Sequence, residues 1–516
     1  MPDWGRSSRR GERWTVSAEP GNVADLLAEA ARERPGGTAL IDTALTGTEA
    51  KATYTWEEFD AAVNGQARRF AEAGMRQGDR VAVQVPTSAA FAVAFFAVVR
   101  AGGIAVPVSP QAPAPEIETV LSHSGATLLI TQGEGFGDVR KLEPGFDAGE
   151  SVPAVGTGED IAVLSYTSGT TGPPRGVMLS HRALLANVDQ LRQVRPPALE
   201  SGDRALLAIP LFHVYGLGPG LLLATATGAT VVLAPRFDAR KALDQCAEHR
   251  ITALAGVPAM YAEFAALPPD ELGEGLSTVG KLTSGAAPLH PKVLAAIRQA
   301  TGIGVYEGYG LTETAPVVTS TLVTGYPKPG SVGRPLPGVE VRLVEPDGDS
   351  EPVLLDPDEP DDTLEEEVGG TGLVAVRGAN LFSGYWPDGA HGPDGEGWFR
   401  TGDVGYLDVD GDLHLVDRAN DLIIVNGFNV YPHEVEAAVG ELPEVAEAAV
   451  VGVLDERSGE AVKAVVVPVA GASLSEQQVV DHCATRLAGY KVPRTVEFVT
   501  ELPHSPTGKL RRVRLR

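Results

Sequence analysis

Short apolar runs alternate with longer amphipathic segments along most of the chain. RVAVQV at 80–85 and IAVPV at 104–108 are typical of buried strands, and the apolar segment Ala89–Val99 between them predicts a helix. The alternation continues downstream with predicted strands at 206–209, 230–233 and 251–254 and with predicted helices at 240–249 and 291–300. Alternating strands and helices indicate an α/β domain with a largely parallel sheet.

Local signals predict where several elements start and where loops lie. Asn22 is positioned to cap a helix with apolar residues at helical spacing, and Thr55 with Glu58 forms a capping box for the next helix. We expect residues 1–20 to be a flexible N-terminus and the glycine-rich, acidic segment Gly133–Gly158 to be a long surface loop. The segment Glu345–Glu367, rich in Asp, Glu and Pro, is predicted to be a solvated flexible loop.

The pattern changes near residue 418. The remainder predicts a compact α+β unit of roughly 100 residues, within the range of an independent domain. Its predicted strands are 423–425, 446–453 and 463–469, and its predicted helices are 432–439 and 477–487. We therefore predict a large domain over 21–417 and a small mobile domain over 418–516, joined by a hinge.

Composition excludes several classes of function. With 43% hydrophobic residues, 21% charged residues and a formal charge of −26, the chain predicts a soluble protein with no nucleic-acid partner and no adhesion to anionic membranes. Cys246 and Cys483 form neither a disulfide framework nor a metal-binding spacing, so buried thiols are expected. No export signal follows the N-terminal arginines, and Ala89–Val99 is too short to span a bilayer. We predict a cytoplasmic enzyme.

The segment YTSGTTGPPRGV, 166–177, carries the clearest candidate chemistry. Its glycines let backbone N–H groups turn inward, its hydroxyls donate further hydrogen bonds, and Arg175 supplies a cation. The loop lacks the Gly-Lys-Ser/Thr of a Walker A motif. The alternatives are a polyphosphate-binding loop and a plain surface turn.

This loop resembles the signature of the AMP-forming adenylating enzymes, the superfamily of acyl-CoA synthetases, adenylation domains and beetle luciferases. Further motifs in the same order extend the resemblance from Thr53 to Lys509, closest to fatty-acyl-CoA synthetases. It implies that the ATP phosphates contact Thr167, Ser168, Gly169, Thr170, Thr171, Gly172 and Arg175. Arg175 stands where the family usually has Lys, which keeps the charge but changes the geometry.

The resemblance also assigns the nucleoside. TSGAAPL (283–289) and EGYGLTET (307–314) would enclose the adenine, with Tyr309 stacking on it. The residues that this places around the base are Gly285, Ala286, Glu307, Gly308, Tyr309 and Gly310. Asp403 matches the carboxylate that accepts hydrogen bonds from the ribose hydroxyls, and Arg418 matches a ribose and phosphate contact. Asp410, in a second Asp-Gly pair, is expected to serve a hairpin turn.

The reacting groups follow from the same resemblance. Glu313 matches the carboxylate that holds Mg²⁺, Thr312 the hydroxyl on the α-phosphate, and His213 a residue of the acyl pocket. The apolar segments Val214–Thr225 and Val257–Tyr261 are expected to wall that pocket. They contain no cationic residue, which favours an apolar monocarboxylic acid, fatty or aromatic.

The small domain is expected to supply the remaining groups. Lys509 matches the catalytic lysine that bridges the substrate carboxylate and the α-phosphate. Asn420 stands at the hinge position, where the family usually has Lys or Asp, and Gly427 matches the segment bordering the CoA pantetheine tunnel.

The resemblance implies an acyl-CoA synthetase with ATP and CoA as cosubstrates and Mg²⁺ as cofactor. It would join an acid to ATP as an acyl adenylate, release pyrophosphate, and pass the acyl group to the CoA thiol. One alternative is an acyl-AMP ligase that delivers the adenylate to an acyl carrier protein or another nucleophile. The other is a nucleotide-binding protein that has lost its chemistry, suggested by the departures at Arg175 and Asn420.

Overall fold

The computed structural model describes residues 21–44, 51–167, 175–344, 371–418, 423–425, 428–455, 459–487, 489–504 and 510–515. The predictions for 1–20, for the segment 345–367 and for the hinge at 420 lie outside these residues. Among the described residues, none of the helices has the length and hydropathy needed to cross a membrane.

The strands alternate with helices through the first part of the chain. In chain order the first strands are β1 (Thr38–Asp42), β2 (Thr53–Thr55), β3 (Arg80–Gln84), β4 (Ile104–Pro107), β5 (Leu128–Thr131), β6 (Arg140–Leu142), β7 (Ile161–Thr167), β8 (Arg175–Ser180), β9 (Arg204–Leu207), β10 (Thr230–Leu233), β11 (Ala253–Gly256), β12 (Lys281–Ser284) and β13 (Val305–Gly310). They are followed by β14 (Val317–Ser320), β15 (Arg334–Pro335), β16 (Val339–Val344), β17 (Gly372–Gly378), β18 (Trp398–Leu407), β19 (Leu413–Arg418), β20 (Ile423–Val425), β21 (Phe428–Val430), β22 (Val445–Asp455), β23 (Gly459–Pro468) and β24 (Thr495–Phe498).

The α-helices lie between these strands. They are α1 (Asp25–Glu33), α2 (Trp56–Glu72), α3 (Ala89–Arg100), α4 (Ala114–Ser124), α5 (His181–Gln193), α6 (Leu223–Thr227), α7 (Ala239–His249), α8 (Pro258–Ala265), α9 (Pro269–Gly275), α10 (Pro291–Thr301), α11 (Pro432–Gly440) and α12 (Glu476–Ala484). A π-helical segment, Gly216–Leu222, precedes α6.

The described strands form four sheets. Sheet I has the order β15-β14-β13-β12-β11-β9-β10-β1-β2, and sheet II has the order β6-β5-β3-β4-β7-β8. In sheet I the neighbouring strands β13-β12-β11-β9-β10-β1 are all parallel. Sheet II is parallel apart from the β7–β8 pair. The predicted largely parallel α/β domain is therefore confirmed.

Sheets III and IV are mostly antiparallel. Sheet III has the order β16-β17-β18-β19, and sheet IV has the order β21-β20-β23-β22, with β24 parallel to β23. Helices α11 and α12 pack on sheet IV around their own apolar core, which includes Val435, Val479 and Cys483. The large domain of mixed sheets and the smaller α+β C-terminal domain match the predicted fold class. The exact boundary at 418 stays a prediction.

Helix α3 lies at the centre of the large domain. All of its residues are buried, and it contacts β1 of sheet I as well as β3 and β4 of sheet II. A helix that is apolar on every side is stable only when it is enclosed on every side. The segment Ala89–Val99 is thus a core helix between two sheets.

Two local predictions about the N-terminal region had different outcomes. The capping box is confirmed, with the Glu58 N–H donating to Thr55 Oγ1 at 3.2 Å and the Thr55 N–H to Glu58 Oε2 at 3.0 Å. The prediction that Asn22 caps the first helix is wrong, because α1 begins at Asp25 without a side-chain cap. The Asn22 amide instead donates to the carbonyl oxygens of Val99 and Val155.

Two further predictions concern a loop and the cysteines. Gly133–Gly158 is not wholly a loop, because Arg140–Leu142 forms strand β6 and pairs with β5. Both cysteines are free and buried, as expected, and burial raises the pKa of the Cys246 thiol to about 12 and of the Cys483 thiol to about 11.

Candidate active site

One large cleft, about 3150 Å³ in volume, collects most of the predicted site residues that the structure describes. The carboxyl ends of several sheet I strands open into it, with residues from sheet III and from the small domain. The predicted residues lining it are Thr167, Arg175, His213, Gly285, Ala286, Glu307, Gly308, Tyr309, Gly310, Thr312, Glu313 and Asp403. Segments far apart in the sequence therefore meet at one site.

The predicted phosphate-binding segment begins and ends in two paired strands. Strands β7 and β8 pair in antiparallel fashion, which places Thr167 directly opposite Arg175 at the ends of the loop. Both residues line the cleft. The intervening candidates Ser168, Gly169, Thr170, Thr171 and Gly172 lie outside the described residues. The hairpin thus presents the two ends of the predicted loop to the cleft.

The nucleoside-binding candidates lie at the ends of neighbouring strands. β12 and β13 are parallel, with Ser284 beside Glu307, so the TSGAAPL and EGYGLTET segments leave sheet I side by side. Ala286 has a φ of 71°, in the left-handed region, which turns the chain sharply just after β12. The structure brings together the two segments expected to enclose the adenine.

Tyr309 and Asp403 are in direct contact. The Tyr309 hydroxyl donates to Asp403 Oδ2 at 2.6 Å, and both residues are largely buried. This hydrogen bond joins β13 of sheet I to β18 of sheet III. β19 ends at Arg418, whose backbone lies opposite Asp403 in the β18–β19 pair. The predicted ring-stacking residue and the predicted ribose carboxylate thus form one unit.

Glu307 is a buried acid at the edge of the cleft. Its Oε2 accepts a hydrogen bond from the Leu289 N–H at 3.2 Å, and its backbone N–H donates to Thr321 Oγ1 at 2.9 Å. Burial raises the pKa of Glu307 to about 7, and the Leu289 hydrogen bond acts in the opposite direction. Desolvation disfavours the charged carboxylate, which gives the direction of the shift.

Thr312 and Glu313 lie in a short 3₁₀ turn directly after β13. The Phe382 N–H donates to the Glu313 carbonyl at 2.9 Å, and the Tyr385 hydroxyl donates to Glu313 Oε1 at 2.7 Å. Burial, followed by the charge of Glu313, raises the pKa of the Tyr385 phenol. The Arg175 guanidinium lies over the Tyr385 ring, 5.4 Å from its centroid.

Sequence reasoning missed Tyr385. It lies in a loop between β17 and β18 and has no periodic pattern around it, and its hydrogen bond to Glu313 spans 72 residues of sequence. A lone aromatic residue beside a glycine is a common feature of loops. No local signal therefore singles it out.

The chemistry of Glu313 fits a bound Mg²⁺. The half-buried carboxylate lines the cleft, as expected for an ion that takes one or two protein carboxylates and completes its shell with phosphates and water. Among the described residues, the carboxylates of Asp408, Asp410 and Asp412 lie close enough together to hold a metal ion, but they lie apart from Glu313. The Lys328 ammonium lies 2.6 to 3.0 Å from all three of these carboxylates, so a protein cation already balances them. Asp410 lies in the β18–β19 hairpin turn, as predicted.

His213, the predicted acyl-pocket residue, lines another part of the cleft. The Tyr215 N–H donates to His213 Nδ1 at 3.2 Å, and the Leu217 N–H donates to the His213 carbonyl at 3.0 Å. Tyr215 is hydrogen-bonded to Thr283, and burial raises its pKa to about 12. A Cβ added at Gly285 would lie 3.1 Å from the Tyr215 ring, so the ring packs closely on the TSGAAPL backbone.

Apolar residues continue this wall away from His213. Val214, Pro219, Gly220 and Leu223 line the cleft, and Pro258 and Ala259 come from the second segment predicted to form the pocket. The structure places both predicted segments on the same cleft.

The small domain closes one side of the cleft. The Lys292 ammonium at the start of α10 donates to the Gly440 carbonyl at the end of α11, at 3.0 Å. A cation at the C-terminus of a helix interacts favourably with the helix dipole. The predicted residues Asn420, Gly427 and Lys509 lie outside the described residues, and their roles remain predictions.

The fold and the cleft define a two-domain adenylate-forming enzyme. The profile of the AMP-binding enzyme family matches residues 27–386, and the profile of the AMP-binding enzyme C-terminal domain matches residues 434–509. A feruloyl-CoA synthase from Amycolatopsis sp is 37% identical over 506 residues, which cover 95% of this chain and 96% of the relative. A long-chain-fatty-acid–CoA ligase from Yersinia pestis is 34% identical over 501 residues, 86% of each chain.

A solved structure agrees with these matches. ATP-bound MatB from Rhodopseudomonas palustris is 31% identical and superposes with a TM-score of 0.84, covering 96% of this chain and 98% of that one. The chain belongs to the AMP-binding enzyme family. Its activity is that of an AMP-forming acid–CoA ligase, which makes an acyl adenylate and transfers the acyl group to CoA. The alternative of a binding protein without chemistry is thereby set aside.

Proposed function

We propose that this chain activates an apolar monocarboxylic acid, aromatic or fatty, in a Mg²⁺-dependent reaction in the cytoplasm. The observation that carries the proposal is the shared cleft: the ends of the phosphate loop, Glu313 and the Tyr309–Asp403 pair face the apolar wall that begins at Tyr215. Nucleotide and acid would therefore meet beside His213 and Glu313.

The lining of the acyl side supports the class of acid. The residues Val214, Tyr215, Pro219, Gly220 and Leu223 offer apolar surface and no cation for a second carboxylate. Relatives that act on an aromatic acid and on long-chain fatty acids both align with the chain, so the proposal includes both classes. Pockets of this kind select ligands mainly by shape, with a few polar groups fixing orientation.

The first half-reaction joins the acid carboxylate to the α-phosphorus of ATP and expels pyrophosphate. Both reactants are anionic, so the protein must offset their charge and hold them in line. In this proposal Asp403 and Tyr309 hold the nucleoside, Thr312 donates to the α-phosphate, and Arg175 with the loop amides holds the phosphates. Glu313 would hold Mg²⁺, which neutralises phosphate charge when bound.

The second half-reaction transfers the acyl group. The CoA thiol attacks the acyl carbon, and AMP leaves with the electron pair of the anhydride bond. By the family resemblance, Lys509 serves only the first half-reaction, and the small domain turns about Asn420 to bring the Gly427 segment to the cleft for the second.

The test is pyrophosphate release from Mg-ATP with a panel of aromatic, fatty and short acids, each with and without CoA. We expect turnover that depends on CoA and favours an aromatic or fatty acid. Strong preference for a dicarboxylic or short polar acid would contradict the proposed acid class. Pyrophosphate release at the same rate with and without CoA would contradict CoA as the acceptor and would favour an acyl carrier protein or another nucleophile.

A further inference from the structure

We propose that Tyr385 is a positioning residue that fixes the Glu313 carboxylate and couples it to Arg175 at the end of the phosphate loop. The inference rests on the proposed function, in which Glu313 holds the metal of Mg-ATP. It adds a residue to the nucleotide-binding machinery, on a loop that the sequence motifs do not include.

The loop that carries Tyr385 holds Glu313 at two points. The backbone of Glu313 is fixed by the hydrogen bond from the Phe382 N–H to its carbonyl, at 2.9 Å. Its side chain is fixed by the Tyr385 hydroxyl, which donates to Oε1 at 2.7 Å. Because both donors belong to one short segment, the orientation of the carboxylate depends directly on the position of that segment.

The segment is in turn attached to the phosphate hairpin. The Trp386 N–H donates to the Gly176 carbonyl at 2.7 Å, and the Met178 N–H donates to the Gly384 carbonyl at 3.1 Å. These two bonds enclose Tyr385 on both sides along the chain. The ring of Phe382 packs edge-on against the ring of Tyr385, with centroids 5.1 Å apart, which restricts the phenol further.

Arg175 completes the arrangement. Its guanidinium lies over the face of the Tyr385 ring, where a planar cation stacks well and a lysine ammonium would make a different contact. Arg175 follows directly on the phosphate loop, so the aromatic ring lies between the loop end and the metal carboxylate. The arginine that departs from the usual lysine thus has a partner suited to its shape.

Loss of the Tyr385 hydroxyl is expected to weaken the binding of Mg-ATP more than the binding of metal-free ATP. Loss of the Tyr385 hydroxyl leaves Glu313 without its donor, and hydrogen bonds to charged groups are strong enough that binding of Mg-ATP should weaken by about tenfold. Binding of metal-free ATP should weaken less than binding of Mg-ATP, because the phenol contacts Arg175 as well as the carboxylate that holds the metal, and only the second contact depends on the metal. Binding of the acid should also be unchanged.

The experiment is calorimetric titration of the full chain with Mg-ATP and with ATP plus EDTA, in the absence of acid and CoA. The variant is Tyr385→Phe, which keeps the ring beside Arg175. The matched control is Tyr406→Phe, whose ring stacks on His414 outside the cleft. We expect weaker Mg-ATP binding for Tyr385→Phe alone, with an unchanged Tm for both proteins.

A double-mutant cycle with Glu313→Gln separates positioning from a general structural effect. If Tyr385 acts through Glu313, Tyr385→Phe has no further effect on Mg-ATP binding in the Glu313→Gln background. Equal Mg-ATP affinity of wild type and Tyr385→Phe would overturn the inference, as would an equal loss with and without metal. If the wild type binds Mg-ATP but no acid triggers pyrophosphate release, the proposed function fails while the calorimetric comparison still decides the role of Tyr385.

Discussion

The two sides of the cleft are built differently. On the nucleotide side, polar side chains from distant strands bind one another, as in the Tyr309–Asp403 and Tyr385–Glu313 hydrogen bonds. On the acyl side, apolar residues and glycines pack around the Tyr215 ring, and shape dominates. Polar recognition needs defined partners, whereas apolar recognition tolerates many residues of similar volume. Changes on the nucleotide side should therefore alter ATP handling, and changes on the acyl side should alter the choice of acid.

The largest expected effect comes from Lys509→Ala. If Lys509 offsets charge between the carboxylate and the α-phosphate as proposed, removing it should lower adenylation by about 10²-fold or more. Thioester formation from a supplied acyl adenylate should stay within a few fold of wild type. The two half-reactions are measured separately, with Lys491→Ala, which removes a small-domain lysine paired with Glu434, as control. Equal losses in both half-reactions would contradict the alternation of domains.

Asp403→Asn tests the nucleotide side. Loss of the charged acceptor should raise the KM for Mg-ATP by about tenfold, because hydrogen bonds to charged groups contribute roughly 1.5–3 kcal/mol. The KM for the acid should stay within twofold. Asp410→Asn is the control, since Asp410 lies in the hairpin turn of the same strand pair. A rise in the KM for the acid as large as that for Mg-ATP would contradict the assignment of Asp403 to the nucleotide side of the cleft.

Tyr215→Leu tests the acyl side. Replacing the ring changes the shape of the pocket, so the ratio of kcat/KM for an aromatic acid to that for a long-chain acid should shift by about tenfold. Tyr215→Phe, which keeps the ring, should preserve the ratio. Unchanged selectivity in Tyr215→Leu would show that the ring does not define the acid.

The smallest effect on turnover is expected from Glu307→Gln, which is measured as stability against pH. The folded-state pKa of about 7 lies above the ordinary value of 4.5, so the folded protein retains a proton that the unfolded chain releases. Stability from this group is present at low pH and is lost as the pH rises through about 7. The variant should therefore be more stable than wild type at pH 8, by about 1–3 kcal/mol, and the gap should narrow towards pH 5. The free energy of unfolding is measured for both proteins from pH 5 to pH 8. A difference between them that does not change with pH would show that burial does not penalise the Glu307 charge.

Much of the fold could be predicted because its buried strands and helices are marked by local apolar segments. The runs that became β3, β4 and β10 and the segment that became α3 are almost continuously apolar, and length and flanking residues distinguish the short strands from the longer helix. The antiparallel pairing of sheet III was not predicted, because strand partners depend on how distant segments pack. Strand β6 was missed for the same reason: its three residues, two of them exposed, carry no apolar pattern and are ordered by pairing with β5.

For the site, the motifs identified residue types and the tertiary structure decided their partners. Tyr309 and Asp403 stood out in separate motifs, but the hydrogen bond between them spans 94 residues of sequence. Tyr385 belongs to none of the predicted motifs and became visible only through Glu313 and Arg175. Chemistry can be read from residue type and spacing, whereas contact requires the folded chain.

Thr55 and Asn22 show which hydrogen bonds the sequence determines and which the tertiary structure decides. The sequence alone determined the Thr55–Glu58 capping box, because both hydrogen bonds close within three residues and need only a helix start. Asn22 has an equally good capping side chain, yet its amide binds carbonyl groups 77 and 133 residues away. A buried side-chain amide needs hydrogen-bond partners, and its N–H groups donate to the carbonyl oxygens that the packed core places next to it. Local hydrogen bonds are therefore determined by the sequence, and those that depend on which segments are buried together are decided by the tertiary structure.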